Sequence, residues 1–176
     1  EIKLNIEANH ATLSGHSFEH EIAYAISNNA LGSLDINRGD TLLGWDTDQF
    51  PNSVGELILP FYHIFSNGGI GNGGLNFDAK IRRQSIDPED LFYAHIGGMD
   101  ICARTLLAVE KMINDKILSN YVSKRYENWQ KDLGKFIHDK STSLDAIHQK
   151  VLDDNLEPQP RSGNQEYLEN ILNKYL

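Results

Sequence analysis

The sequence predicts an α/β fold of three strand-helix units with parallel strands, followed by an all-helical C-terminal extension. Two observations predict the first part and one the second. Short apolar stretches of strand period are each followed by apolar residues at helical spacing, three times in succession. Strands separated by helices pair in parallel, with the helices packed outside. Beyond Asp115 the strand signal stops and only amphipathic helical stripes remain.

Taken in order, Ile2, Leu4 and Ile6 alternate with Lys3, Asn5 and Glu7, a half-buried strand whose polar side faces something wet or ionic. Phe18, Ile22, Ala25 and Ile26 follow at helical spacing behind Ser17, an N-cap candidate. Leu31 to Ile36 reads as a second strand with Asp35 near its end, and a long loop runs from there to Pro51. Ser53 and Glu56 stand at capping-box spacing and predict a helix to about Ser66. Pro60 falls inside that helix and predicts a kink or a shortening, because its ring opposes the carbonyl near Glu56. Gly73 to Asp78 supplies a third strand. Asp87, Pro88, Glu89 and Asp90 combine a cap, an N1 proline and acids at the positive end of the dipole, opening a long helix to about Asn114.

In the extension, Leu118, Val122, Tyr126, Trp129, Leu133 and Phe136 mark one amphipathic helix, Leu144, Ile147 and Val151 a shorter one, and Tyr167, Leu168, Ile171, Leu172 and Tyr175 a last one beyond Pro158 and Pro160. Such stripes must bury themselves against the main body or another subunit. No repeat or low-complexity segment interrupts the chain.

Composition excludes several functions. A formal charge of -9 over 176 residues argues against a nucleic-acid surface or an anionic membrane surface, both of which recruit clustered Lys and Arg. No apolar run reaches membrane-spanning length. One cysteine, Cys102, closes no intramolecular disulfide, so a reducing, cytoplasmic setting is expected. The chain opens at Glu1 directly into strand pattern, and a segment upstream is expected.

Acidic residues carry the chemical signal. Asp35, Asp40, Asp46 and Asp48 fall within fourteen residues, opposed there only by Arg38, and they repel one another unless something positive sits among them. Asp46 and Asp48 face the same way if their loop is extended, and Trp45 and Phe50 beside them predict a partly buried site. Hard divalent cations favour such all-oxygen company. Glu7 and His10, at and just past the end of the first strand, form a second candidate pair. Asp78 ends the third strand. Each strand thus ends near an acid, where active sites collect in α/β barrels.

Other motifs are set aside. Asp35 to Asp40 opens like a calcium loop, but Gly39 stands at a ligand position and Asp40 replaces the turn glycine. Gly69 to Gly74 matches a dinucleotide fingerprint literally, yet it joins a helix to a strand, the reverse of the required context. Arg38-Gly39-Asp40 reads as internal ion pairing, and Lys80, Arg82 and Arg83 as partners of neighbouring acids. His16, His20, His63, His95, His138 and His148 lack metal spacing.

Five segments in combination, Asn5-Ile-Glu-Ala-Asn-His10, Asp35-Ile-Asn-Arg-Gly-Asp40, Gly44-Trp-Asp-Thr-Asp-Gln-Phe-Pro51, Gly74-Leu-Asn-Phe-Asp-Ala-Lys80 and Phe92-Tyr-Ala-His-Ile-Gly-Gly-Met-Asp100, resemble the C-terminal part of xylose isomerases of the longer-chain class. The resemblance implies that residues 1–114 are the last three strand-helix units of a (β/α)8 (TIM) barrel and that residues 115–176 are a helical tail contacting other subunits of a homotetramer. It further implies interconversion of D-xylose and D-xylulose, and of D-glucose and D-fructose, with two divalent cations, Mg2+, Mn2+ or Co2+. By the same resemblance Glu7 bridges both cations, Asp35 and Asp78 complete the protein side of the first, and His10, Asp46 and Asp48 bind the second. The family draws a fourth carboxylate, a substrate-contacting lysine and a ring-opening histidine-aspartate pair from upstream strands, so no such catalytic side chain is expected here. Ile36 departs from the alanine that many relatives carry. Two alternatives stand beside this reading: another sugar isomerase or epimerase of the same barrel, and an inactive cation-binding or assembly module.

Overall fold

A computed structural model describes residues 2–82 and 84–176. The chain divides into two compact units, one running as far as Asn114 and including Tyr175–Leu176, the other Asp115–Lys174.

The first unit is built on a parallel sheet of order β1-β2-β5, with β1 at Leu4–Glu7, β2 at Leu31–Ile36 and β5 at Leu75–Phe77. Glu7 lies opposite Asp35, and Asp35 opposite Asn76. Alternation sends Ile6, Leu34 and Ile36 into the core and leaves Asn5, Glu7, Ser33, Asp35 and Asn76 on the other face. The core side is covered by α2 (Phe18–Ser27), through Phe18, Ile22 and Ala25, and by α3 (Val54–Ser66), through Leu57, Phe61 and Ile64. A long helix, α4 (Pro88–Asp115), buries Val109 and Met112. Among the described residues, β1 and β5 each pair with one strand only.

Local detail departs from expectation in four places. A short helix, α1 (Ala8–Leu13), follows β1 directly, ahead of the expected one. The loop after β2 folds into a hairpin of β3 (Gly39–Asp40) and β4 (Trp45–Asp46). Ser53 makes no side-chain cap, and the Glu56 carboxylate that would complete the box is held by Arg38, whose Nη2 lies 3.1 Å away. Helix α3 continues through Pro60 for its full 13 residues, with the proline ring fully buried. The expected cap at Ser17 is present, accepting from the His20 N–H, and Asp87 donates its N–H to the Asp90 carboxylate ahead of α4.

The second unit contains α5 (Ile117–Arg125), a 3-10 turn at Glu127–Gln130, α6 (Asp132–His138), α7 (Leu144–Asp153) and α8 (Gln165–Leu172). The single helix expected from Leu118 to Phe136 is thus broken in two. Gly134 of α6 packs closely on the 3-10 turn, where an added Cβ would stand 2.3 Å from the Asn128 carbonyl oxygen. Tyr121 donates to the Gly163 carbonyl at 2.8 Å and Arg125 to that of Ser162 at 3.2 Å, tying α5 to the segment before α8. Val122, Tyr126, Leu144, Leu152 and Tyr167 remain exposed. No helix among the described residues is long and apolar enough to cross a membrane.

Candidate metal centre

The acids gather where the sheet's strands end. Asp46 belongs to β4, paired opposite Gly39, and the hairpin is anchored by Thr47, whose N–H and hydroxyl both donate to the Arg38 carbonyl at 3.0 Å. The condition that the Asp46–Asp48 loop be extended is not met, because the segment turns on the Asp46 side chain. Asp48 adopts a left-handed backbone, φ 51°, and donates its N–H to Asp46 Oδ1 at 2.7 Å. Aspartate tolerates this region better than most residues. Asp78 follows β5 directly, and oxygens of Asp46, Asp48 and Asp78 all lie within 4.8 Å of one another.

An aromatic brace fixes the third of these. Phe77 stacks on Phe50 with ring centres 3.9 Å apart and planes 2° from parallel, and its other contact is the His95 ring. Gly98 of α4 lets this stack sit against the helix, since a Cβ there would stand 2.3 Å from the Phe77 ring. Phe50 is 4% exposed, as its neighbourhood predicted, whereas Trp45 is 60% exposed and contributes no cover.

At the centre of the cluster is Asn37, only 3% exposed, a residue sequence reasoning did not single out. Its Nδ2 faces three carboxylates: Asp46 at 2.7 Å, Glu7 at 3.0 Å and Asp78 at 3.3 Å. Its Oδ1 accepts the Asn9 N–H at 2.8 Å, which fixes which end of the amide faces the acids. The one sequence signal for it is alternation with Asp35, which puts both on the polar face. Asn9 itself is buried with its Oδ1 unpartnered, packed on Gly39.

The remaining candidates stand around this core. Glu7 Oε2 is 2.9 Å from His10 Nδ1, so His10 joins through Glu7, although its side chain is 73% exposed. Asp35 is not among Asn37's partners and accepts instead from Asn76 Nδ2 at 3.0 Å. Lys80 lies 2.5 Å from Asp48 and 3.9 Å from Asp78, as an acid partner should. Arg82 donates to the Lys80 carbonyl, and Arg83 falls outside the described residues. Asp40 caps the backbone of Leu42 and Leu43 away from the cluster. Gly69 to Gly74 is a helix-to-strand turn, with Gly69 and Gly71 at positive φ.

Electrostatics reflect the crowding. Burial, with the Asp46 charge adding to it, raises the Asp78 carboxyl above its ordinary range against the opposing pull of Asn37 and Lys80. The bond to Asp48 raises the Lys80 ammonium. Counting Glu7, Asp46, Asp48 and Asp78, four carboxylates meet one ammonium and one amide that has two protons for three acceptors. An oxygen-rich donor set with this excess of acceptors fits a hard divalent cation.

Fold and site define a mixed α/β protein with a small parallel sheet, a helical C-terminal unit, and carboxylates converging at the strands' carboxyl ends. The chain is 58% identical over all 176 residues to a xylose isomerase of Actinobacillus succinogenes, and 56% identical to those of Sinorhizobium fredii and Haemophilus influenzae, covering 40% of each. A family model described as the XylA2 C-terminal domain matches residues 122–176. Along its whole length the chain is therefore a homologue of the C-terminal 40% of xylose isomerase. It spans about 40% of the length of the curated relatives it matches.

Proposed function

We propose that this chain is the C-terminal part of a metal-dependent aldose-ketose isomerase that interconverts D-xylose and D-xylulose, and D-glucose and D-fructose, by a hydride shift between adjacent carbons. The convergence of Asp46, Asp48 and Asp78, in a chain homologous to xylose isomerases, is the observation that carries this reading. The parallel sheet is then part of a (β/α)8 barrel in residues 1–114, and the unpaired edges of β1 and β5 are where its other strands join. Residues 115–176 form the tail through which subunits of a homo-oligomer, a tetramer, meet; its exposed Tyr126, Leu144 and Tyr167 support such contacts.

Glu7, His10, Asp35, Asp46, Asp48 and Asp78 would hold two divalent cations, Mg2+, Mn2+ or Co2+. When bound, these supply Lewis-acid polarisation of the sugar's carbonyl and hydroxyl oxygens. The chain's own contribution is placement. Asn37 orients Glu7, Asp46 and Asp78, Lys80 holds Asp48, and the Phe50-Phe77 stack sets where Asp78 emerges from the sheet. The side chains that open and contact the sugar are expected in the remaining share of the relatives' length, so competence requires it. In the full-length protein with Mg2+, xylose is converted to xylulose and the Asp46→Asn variant loses that turnover together with Mg2+ affinity. Unchanged turnover in that variant refutes the ligand set.

A further inference from the structure

We infer that Asn37 is a positioning residue that substitutes for positive charge in the cation-free protein, holding Glu7, Asp46 and Asp78 together until metal takes over that task. The inference rests on the metal reading above and deepens it. Three observations support it. The amide nitrogen reaches all three carboxylates, between 2.7 and 3.3 Å, although it carries only two protons. The other end of the amide is fixed by the Asn9 N–H from the first turn of α1, so the donor end cannot flip away without breaking that bond. Asn37 is also almost fully buried, so water cannot replace it as the shared donor.

Among the described residues the ammonium that pairs with these carboxylates is that of Lys80, which serves Asp48 and Asp78. Glu7 and Asp46 share Asn37 as their common donor, Glu7 having His10 and Asp46 the Asp48 N–H as second partners. Removing the two amide protons leaves those carboxylates to repel one another in the cation-free state. A bound divalent cation offsets that repulsion whether or not the amide is present. The residue thus stabilises the empty site far more than the filled one.

The test measures thermal unfolding of the full-length protein, stripped of metal and then saturated with Co2+, for the parent, Asn37→Leu and Asn37→Asp. The leucine variant removes donor and acceptor at similar volume. The aspartate variant keeps an acceptor for Asn9 and replaces the donors by a further charge. Both should lower the cation-free midpoint more than the Co2+ midpoint, widening the gap between them by about 2–4 °C or more, with aspartate widening it further than leucine. A variant that folds only with Co2+ is the limiting case of that result. Thr105→Val, which removes a buried hydroxyl bonded to the Ile101 carbonyl on α4, should lower both midpoints and leave the gap as in the parent.

An unchanged gap in both Asn37 variants, a gap widened equally by Thr105→Val, or variants that Co2+ fails to restore would overturn the inference while leaving the metal reading intact. A parent whose midpoint does not respond to Co2+ overturns both.

Discussion

Replacing Gly39 by alanine tests how tightly the backbone is built around the cluster. The added Cβ would stand 1.6 Å from Asn9 Oδ1 and 2.7 Å from its Cγ, against the 3.0 Å that real Cβ contacts respect. The Asn9 amide must therefore recoil by about 1.4 Å, and at 1% exposure it has no solvent to recoil into. Either Asn9 turns to another rotamer or α1 shifts outward, and a shift of α1 carries away the N–H that holds Asn37. Overpacking of this kind costs about 1–3 kcal/mol. For a protein of this size that is a fall of roughly 2–12 °C in the unfolding midpoint, read by calorimetry. Loss of the Asn9 bond should also weaken Mn2+ affinity, read by titration of the same sample. Gly44→Ala is the comparison, since Gly44 sits at φ +73° with nothing within 4 Å, so that only the backbone term of about 1 kcal/mol applies and Mn2+ affinity is kept. A Gly39→Ala midpoint within about 1 °C of the parent, with unchanged Mn2+ affinity, would refute the close-approach argument.

Two further outcomes follow from the same packing and charges. Gly98→Ala pushes a Cβ into the Phe77 and Phe50 rings, at 2.3 and 2.8 Å, and should cost about 1–3 kcal/mol in chemical denaturation and weaken Mn2+ binding through the displaced Asp78. His63, whose burial lowers its pKa below 6.5 against a smaller upward pull from Glu19, binds a proton less readily folded than unfolded. Its contribution is thus present above about pH 6.5 and lost as pH falls from there through the folded value. His63→Gln should flatten that part of the stability-pH profile between about pH 8 and pH 5, measured by urea unfolding, and an unaltered slope would contradict it.

What could be read in the sequence was whatever depends on period and on strand ends. Alternation marked Ile6, Leu34 and Ile36 as core and Glu7 and Asp35 as facing away, and these two acids are strand neighbours, whereas Ile2 and Leu4, expected on the apolar side, are exposed. The hairpin after β2 was not legible, because its pairing of Gly39 with Asp46 depends on Asn9 packing against Gly39 from another element. The turn at Asp48 escaped for a related reason: whether Asp46 Oδ1 caps a neighbouring N–H or stays free is decided by the strand it belongs to. Ser53 and Glu56 had a capping-box spacing, but Arg38, eighteen residues away from Glu56, takes the glutamate. Asn37 was hidden most fully. An asparagine between two strand acids looks like a surface residue until the fold delivers Glu7 and Asp78 from other strands to the same amide.

That last point bears on why the chain tolerates so much negative charge in one place. Asp46, Asp48 and Asp78 come within 4.8 Å of one another, a separation at which a pair of carboxylates repels by about 3 kcal/mol at an effective dielectric near 20, less where water reaches them. Lys80 relieves Asp48 first and Asp78 at longer range, and Asn37 relieves Asp46, Glu7 and Asp78 by hydrogen bonding without adding charge. The Asp78 carboxyl stays above its ordinary range mainly because it is buried, with the Asp46 charge adding to that. A fold selected for stability alone would replace one of these acids with a neutral residue and gain from it. Keeping all of them, braced by a buried aromatic stack and a buried amide, makes sense where the filled state of the site is the working one, and it ties the cluster's cost in the empty state directly to its affinity for a cation.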